Sequence, residues 1–428
     1  MALCLLLIEY NRALAHATLL SSEPKPNAVL SGSPAQIRLV FSEAVVADLS
    51  RIELLSVGAA PARLQVSVDP RDVHVLIASP PVLASGAYRV VWRIVSADGH
   101  PVDGDFVFTV GGPSGEAPPQ APPPQSVELS HSDASGPVAV GAPVIPSVLR
   151  GAGLAAMLAL TGLLTFGLAS ERAGVKPKRQ EGATTWLAAA AVILLACHMA
   201  MWMLHAAPAD HLSQSWLQAA MGTTVGRMEG ARVLLAVLVL WALALARRPA
   251  LALFLAAACL LLSGAIGHSA AISPAIAIPS KGVHLLSIAM WLGGLTWLVI
   301  AAMDNEASLR RDAHRVSTVA LWSVIAITIT GAVQSVLFLG GVSLSLLRSS
   351  YGAFVAAKVI GLLILIGFGA YHRFRILPAI DAGVPGGILR RSVRREILVL
   401  IAAVFIGGVM AYVPTPQPTI HVTTSGEP

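Results

Sequence analysis

Two hydrophobic periodicities divide the chain. From His16 to about Gly111, apolar and polar residues alternate in short segments, clearest at residues 37–41, 52–55, 64–68, 73–77, 88–95 and 106–110. Turn formers separate them: Pro24-Lys25-Pro26-Asn27, Gly32-Ser33-Pro34, Asp69-Pro70-Arg71-Asp72 and Ser85-Gly86. Alternation of period two at this spacing predicts an all-β sandwich of immunoglobulin/cupredoxin-like kind over residues 16–112. Residues 113–147 turn to Pro, Gly, Ser and Ala, including Pro118-Pro119 and Pro122-Pro123-Pro124. Such a stretch cannot bury a core and reads as a semi-extended linker. His131, inside it, reads as solvated.

Beyond the linker the alternation gives way to eight long apolar runs, near 148–169, 184–205, 229–246, 250–267, 283–302, 317–341, 353–372 and 397–413. Most approach the roughly 20 residues that span a bilayer as a helix. The third and fourth are split only by Arg247-Arg248-Pro249. An all-α polytopic membrane bundle of about eight helices is predicted over 148–413, with a tail at 414–428. Residues 1–15 read as an export signal whose apolar run is short and interrupted by Glu9, so a misplaced start and an unusually short leader both fit.

Composition agrees with a membrane protein. The chain is 55% hydrophobic and 12% charged, against about 25% charged in a soluble domain. A net charge of +6 could suggest nucleic acid, but the basic residues form short clusters between apolar runs, which is loop charge and not a binding face. Alternate loops hold most of them: Arg172, Lys176, Lys178 and Arg179; Arg247 and Arg248; Arg310, Arg311 and Arg315; then Arg373, Arg375, Arg390, Arg391, Arg394 and Arg395. The positive-inside rule places these loops in the cytoplasm, and both the β-domain and the C-terminus outside a bacterial inner membrane. The β-domain has no cysteine: Cys4 lies in the leader, Cys197 and Cys259 in apolar runs. Disulfides and thiolate sites are excluded there.

The chemistry concentrates in Ser96-Ala97-Asp98-Gly99-His100-Pro101-Val102-Asp103-Gly104. On extended backbone, residues two apart point to the same side, so Asp98 and His100 offer a carboxylate and an imidazole to one point. Taken alone the segment is also a polar turn. A third ligand comes from His16, which follows Ala13-Leu14-Ala15, the A-x-A pattern behind which signal peptidase cuts. Cleavage after Ala15 would give His16 a free amine beside its imidazole. Such an N,O set suits Cu(II).

Ionisable and polar groups at membrane depth are functional candidates, because burying them is costly. His198 and His205 share one face of the second run, with Met201 between them, while Met199 and Met203 read as packing. His205, His211, His268 and His284 gather toward the external side and form a second set of candidate copper ligands, with the neighbouring thioethers favouring Cu(I). For His198 and His268, a hydrogen bond inside the bundle competes with ligation. His314 and His372, among cytoplasmic arginines, read as solvated or lipid-facing. Glu229 and Arg232 read as a pair, and Lys358 has no evident partner.

These residues carry a resemblance. His16, Phe41-Ser42-Glu43, Tyr88-Arg89-Val90-Val91-Trp92 and the Ser96–Gly104 segment resemble the CopC family of exported copper-binding β-sandwiches. Gly267-His268-Ser269, His284 with Met290-Trp291-Leu292-Gly293-Gly294-Leu295, and Tyr351-Gly352 with Lys358 are similar to CopD, the inner-membrane copper-resistance family. The order matches fused CopC/CopD copper-resistance proteins. The resemblance implies a Cu(II) site at His16, Asp98 and His100. It also implies that the Met-rich Cu(I) site of some members is absent, since residues 16–111 contain no methionine.

The expected function is copper homeostasis: the outer domain binds Cu(II) and the membrane domain moves copper inward. Copper ions, the bilayer and other periplasmic copper carriers are the expected partners. No G-x-x-x-x-G-K-[ST] loop occurs, so ATP does not drive the movement, and no catalytic role is assigned. The main rival is a haem-binding electron-transfer membrane protein. A copper monooxygenase is a third reading, which Asp98 opposes by filling a position that O₂ would need, and a copper buffer or sensor is a fourth.

Overall fold

A computed structural model describes residues 17–56, 60–95, 101–111, 144–172, 179–206, 214–264, 274–304, 306–339, 350–382 and 387–412. The chain forms two compact units. Residues 199–231 group with the β-domain in one, and the remaining helices make up the other.

In the first unit, eight strands run β1 (Leu19–Glu23), β2 (Val29–Leu30), β3 (Ile37–Phe41), β4 (Arg51–Ser56), β5 (Ala62–Asp69), β6 (Asp72–Ser79), β7 (Gly86–Val95) and β8 (Pro101–Val110). Their order is β1-β3-β6-β5-β4-β7-β8-β2. β5 belongs to both halves: Ala62 to Leu64 pair with β4, and Gln65 onward pairs with β6. That shared strand turns one sheet over onto itself. Alternation decides the inner face. On β7, Tyr88, Val90, Trp92 and Ile94 point inward, joining Ile37, Leu39 and Phe41 from β3 and Phe106 and Phe108 from β8 in a single core.

At its centre Trp92 packs edge-on to Phe41, ring centroids 5.2 Å apart. Gly104, its partner on β8, leaves the indole room: a Cβ there would run into Cζ2 and lie 2.9 Å from Cε2. Gly104→Ala is therefore expected to destabilise the sandwich by about 1–3 kcal/mol, the usual cost of overpacking. A denaturant titration followed by tryptophan fluorescence checks this, and an unchanged midpoint would refute it.

Helices follow. They are α1 (Val144–Glu171), α2 (Gln180–Ala206), α3 (Gln214–Gly222), α4 (Thr224–Ala244), α5 (Pro249–Gly264), α6 (Pro274–Asp304) and α7 (Glu306–Leu339). Next are α8 (Ser350–Tyr371), a π-turn at His372–Ile376, α9 (Leu377–Asp381) and α10 (Gly387–Met410). The described part of each of the eight apolar runs falls largely on a helix, and five spans among the described residues are long and apolar enough to cross a membrane. This is a multi-pass membrane domain. α5 is described over 16 residues. α4 carries Arg227, Glu229 and Arg232, and α10 begins on arginines and Glu396.

Within the second unit α1 is the hub. Of its apolar window 72% is buried, against 6% for that of the stretch Tyr351–Asp381, which leaves α8 largely uncovered by the rest of the protein. Small residues let neighbours approach α1 closely. Gly162 lies against Ala289 and Gly293 of α6, while Gly151 meets Gly408 of α10.

Candidate metal centre

His16, Asp98 and His100 lie outside the described residues, as do His211, His268 and the side chain of His205. What is described is the frame around them. Thr18 donates its backbone N–H to Ser42 Oγ at 2.8 Å, and the Ser42 N–H returns to the Thr18 carbonyl at 2.9 Å. Ala17, 1% exposed, enters the core shared with Phe41, Val45 and Trp92. Four residues past Ser42, the Val46 N–H reaches the Val95 carbonyl at 2.9 Å. Val95 in turn pairs with Pro101 across the β7–β8 hairpin. Ser42 to Val46 thus joins the chain entry after residue 16 to the base of the hairpin whose connection is residues 96–100. The Ser42 of the Phe41-Ser42-Glu43 segment acquires a physical role here.

The same end of the sandwich is covered by helices. Leu49, in a 3₁₀ turn at Ala47–Leu49, and Val95 form a small apolar cluster with Ala220 of α3. Trp202 and Met203, at the end of α2, and Ala219 pack against it. Met203 is a packing residue, as its position suggested.

Asp72-Val73-His74 shows what an Asp-x-His spacing does in this domain. Both side chains lie on one side of β6, with Asp72 Oδ1 2.8 Å from His74 Nδ1. The His74 backbone N–H, with the imidazole second, holds the exposed Asp72 carboxyl below its ordinary range. Close to the hairpin end, burial and then the Arg51 charge lower the Arg93 guanidinium, while Asp103 opposite raises it.

In the membrane domain the described histidine side chains have protein partners. His198, 1% exposed, has Nε2 2.8 Å from the Tyr412 hydroxyl. That bond occupies the nitrogen a haem iron would need. His284 Nδ1 sits 2.8 Å from Thr330 Oγ1, and the Thr330 hydroxyl donates to the Ala326 carbonyl at 2.6 Å. The hydroxyl oxygen therefore accepts from Nδ1–H, which turns the ring lone pair to Nε2, the arrangement a ligating histidine uses. Lys281 and Lys358 are its charged neighbours, which disfavours a cation there. The Lys358 Nζ lies against Gly407 of α10. Among the described residues no group of three or more His, Cys, Asp or Glu could hold a metal ion.

His314 is half-exposed and reaches Asp381 at 3.1 Å. His372 corrects its sequence reading. It is buried, 8% exposed, because the π-turn carries it into the bundle, where Nδ1 stands 3.0 Å from Glu396 Oε2 and Nε2 2.6 Å from Ser392 Oγ. Glu396, 1% exposed, accepts the Trp291 indole N–H on Oε1 at 2.8 Å. Sequence reasoning missed Glu396 altogether. A carboxylate directly before the apolar run Ile397-Leu398-Val399-Leu400 was the available signal.

A β-sandwich with its chain entry tied to the β7–β8 hairpin, followed by a multi-pass helical domain, defines a two-part membrane protein with a β-domain in front. Comparison with known families makes this specific. Residues 19–111 match the CopC domain, 142–274 the copper resistance protein D-like N-terminal domain, and 310–410 copper resistance protein D. The β-domain is 33% identical over 108 residues to copper resistance protein C of Escherichia coli, covering 23% of this chain and 83% of that protein. It is 31% identical over 99 residues to copper transport protein CutJ of Bacillus subtilis, covering 23% of this chain and 18% of that protein. The crystal structure of PcoC, a methionine-rich copper resistance protein from Escherichia coli, is 36% identical and covers 22% of this chain and 99% of that one, with a TM-score of 0.20. The chain belongs to the copper resistance protein C family and has the fused CopC/CopD architecture.

Proposed function

We propose that the protein serves copper homeostasis: the β-domain binds Cu(II), and the membrane domain carries copper inward across the inner membrane. Removal of residues 1–15 would free the His16 amine, and His16 with Asp98 and His100 would form the Cu(II) site. One observation carries the reading. The described neighbours of these three residues, Ala17 on one side and Val95 with Pro101 on the other, are tied to one end of the sandwich through Ser42–Val46. That end packs on Trp202, Met203, Ala219 and Ala220, between which His205 and His211 fall in the sequence. His205 and His211, carried by that stretch of sequence, would be the next ligands for copper released from the sandwich. His268 and His284 complete the candidate membrane set, with Lys281 and Lys358 weighing against His284.

Copper uptake into vesicles holding the full chain tests the reading. Leu49→Asp puts a charge into the Leu49–Val95–Ala220 contact. Uptake is expected to fall at least about tenfold, since an unpaired buried charge is costly, while Cu(II) binding by the sandwich stays unchanged. Tight Cu(II) binding by the wild type without any copper movement would overturn the transport half.

A further inference from the structure

The membrane domain contains a cavity of about 270 Å³ that the copper reading does not use. It lies among α6, α7, α8, the π-turn and α10. Its walls are apolar, and its rim carries Leu321, Ile366 and Phe374, which are 44%, 41% and 72% exposed. These residues lie on the sparsely covered stretches of α7 and α8 with the π-turn, so the mouth between them opens on the apolar flank of the helices, where a membrane-soluble molecule would reach it. Glu396, His372 and Trp291 line the cavity as buried polar groups.

Those groups are incompletely satisfied. Trp291 supplies a donor to Glu396 Oε1. His372 Nδ1 is 3.0 Å from Oε2, yet off line for a hydrogen bond, and Oε2 has no aligned donor among the described residues. A buried carboxylate oxygen without a donor is costly, and native structures rarely leave one so. The π-turn that brings His372 to this place is of the kind frequently found at functional sites. The space is near the lower end of the roughly 300–1,000 Å³ of small-molecule pockets, enough for a ring and not for a whole lipid.

We propose that this cavity binds a membrane-soluble quinol. Its ring enters between α7 and α8, a ring hydroxyl donates to Glu396 Oε2, and the isoprenoid tail stays in the bilayer. The acceptor at the floor sets the selectivity. A quinol has hydroxyl donors, whereas the oxidised quinone has only acceptors and leaves Oε2 unsatisfied.

The test titrates the purified full chain, in nanodiscs and without oxygen, with decylubiquinol and with decylubiquinone, following tryptophan fluorescence. Saturable binding of the quinol is expected, with the quinone at least about tenfold weaker, the worth of one hydrogen bond to a charged acceptor. Glu396→Gln, which puts an amide donor where an acceptor is needed, should weaken the quinol by a similar factor. Ala370→Trp, an exposed rim position, should block entry without touching Glu396, and so keeps the test decisive should Glu396→Gln fail to fold. Equal affinity for the two redox forms, or quinol binding unaffected by Ala370→Trp, would overturn the proposal. So would a phospholipid, with its headgroup on the rim residue Arg373, that the quinol does not displace.

Discussion

A sandwich whose first residue is His16 is expected to bind one Cu(II) tightly, and to lose at least about a hundredfold in affinity when a single residue is added ahead of it. Residues that merely support a metal ligand are commonly worth about 10–100-fold. The extension does more than that: it converts the terminal amine to an amide nitrogen, a far poorer donor, and so removes the chelate formed by two donors of one residue. His100→Ala should have a comparable effect, and affinity in both forms should fall with falling pH as imidazole and amine take up protons. EPR-monitored titration of the two forms decides. The domain is suited to separate study because it has its own core, and relatives such as copper resistance protein C consist largely of this domain. Equal binding by both forms would remove His16 as a terminal chelate and with it the proposed cleavage after Ala15.

The second large effect is expected in the membrane domain, from Gly293→Ala or Gly162→Ala. A Cβ on either glycine would overlap backbone atoms of the facing helix: the Gly162 Cα and carbonyl in one case, the Ala289 carbonyl in the other. Backbone cannot rotate aside as a side chain can, so α1 and α6 must separate. That places the cost at or beyond the upper end of the usual 1–3 kcal/mol for overpacking. Gly361→Ala on α8 is the contrast. Nothing lies within 4 Å of its Cβ position, and alanine is the better helix former by about 1 kcal/mol. The same substitution should therefore lower the melting temperature of the detergent-solubilised chain at 293 and 162 and leave it level or raised at 361. Equal melting of Gly293→Ala and wild type would sink this account of the Trp291-Leu292-Gly293-Gly294-Leu295 segment.

The strands that alternate cleanly were legible in the sequence. Ile37–Phe41 is observed at its expected bounds, and the other five expected strands fall inside β4 to β8. β1 and β2 were not visible, since β1 (Leu-Leu-Ser-Ser-Glu) does not alternate and is mostly exposed, and β2 has two residues. Hydropathy found all eight long helices but not their ends. α7 starts at Glu306 because Glu306 to Arg315 is charged and still helical, and hydropathy reports only the part that dissolves in lipid. α3 went unseen for the same reason: its apolar face is short and covers the sandwich at Leu49 and Val95. The Glu396–His372–Trp291 group was illegible because its members are spread over three elements distant in sequence, and only packing brings a carboxylate among arginines under cover. The copper ligands were proposed from spacing, the A-x-A junction and the CopC resemblance; the frame around Ala17, Ser42 and Val95 is what the structure adds.

The contact of Leu49 and Val95 with Ala220 joins residues distant along one chain, and the linker turns it into a ring closure. The two partners never dilute away from each other, because one chain carries both and so raises their effective concentration. Such a contact can be weak, opening and closing often, and still be closed most of the time. The entropy of closure changes slowly with tether length, by about 0.6 kcal/mol per doubling. Lengthening or shortening the proline-rich stretch by several residues should thus leave the closed fraction nearly unchanged, whereas cutting it would leave the sandwich held only by a small apolar patch.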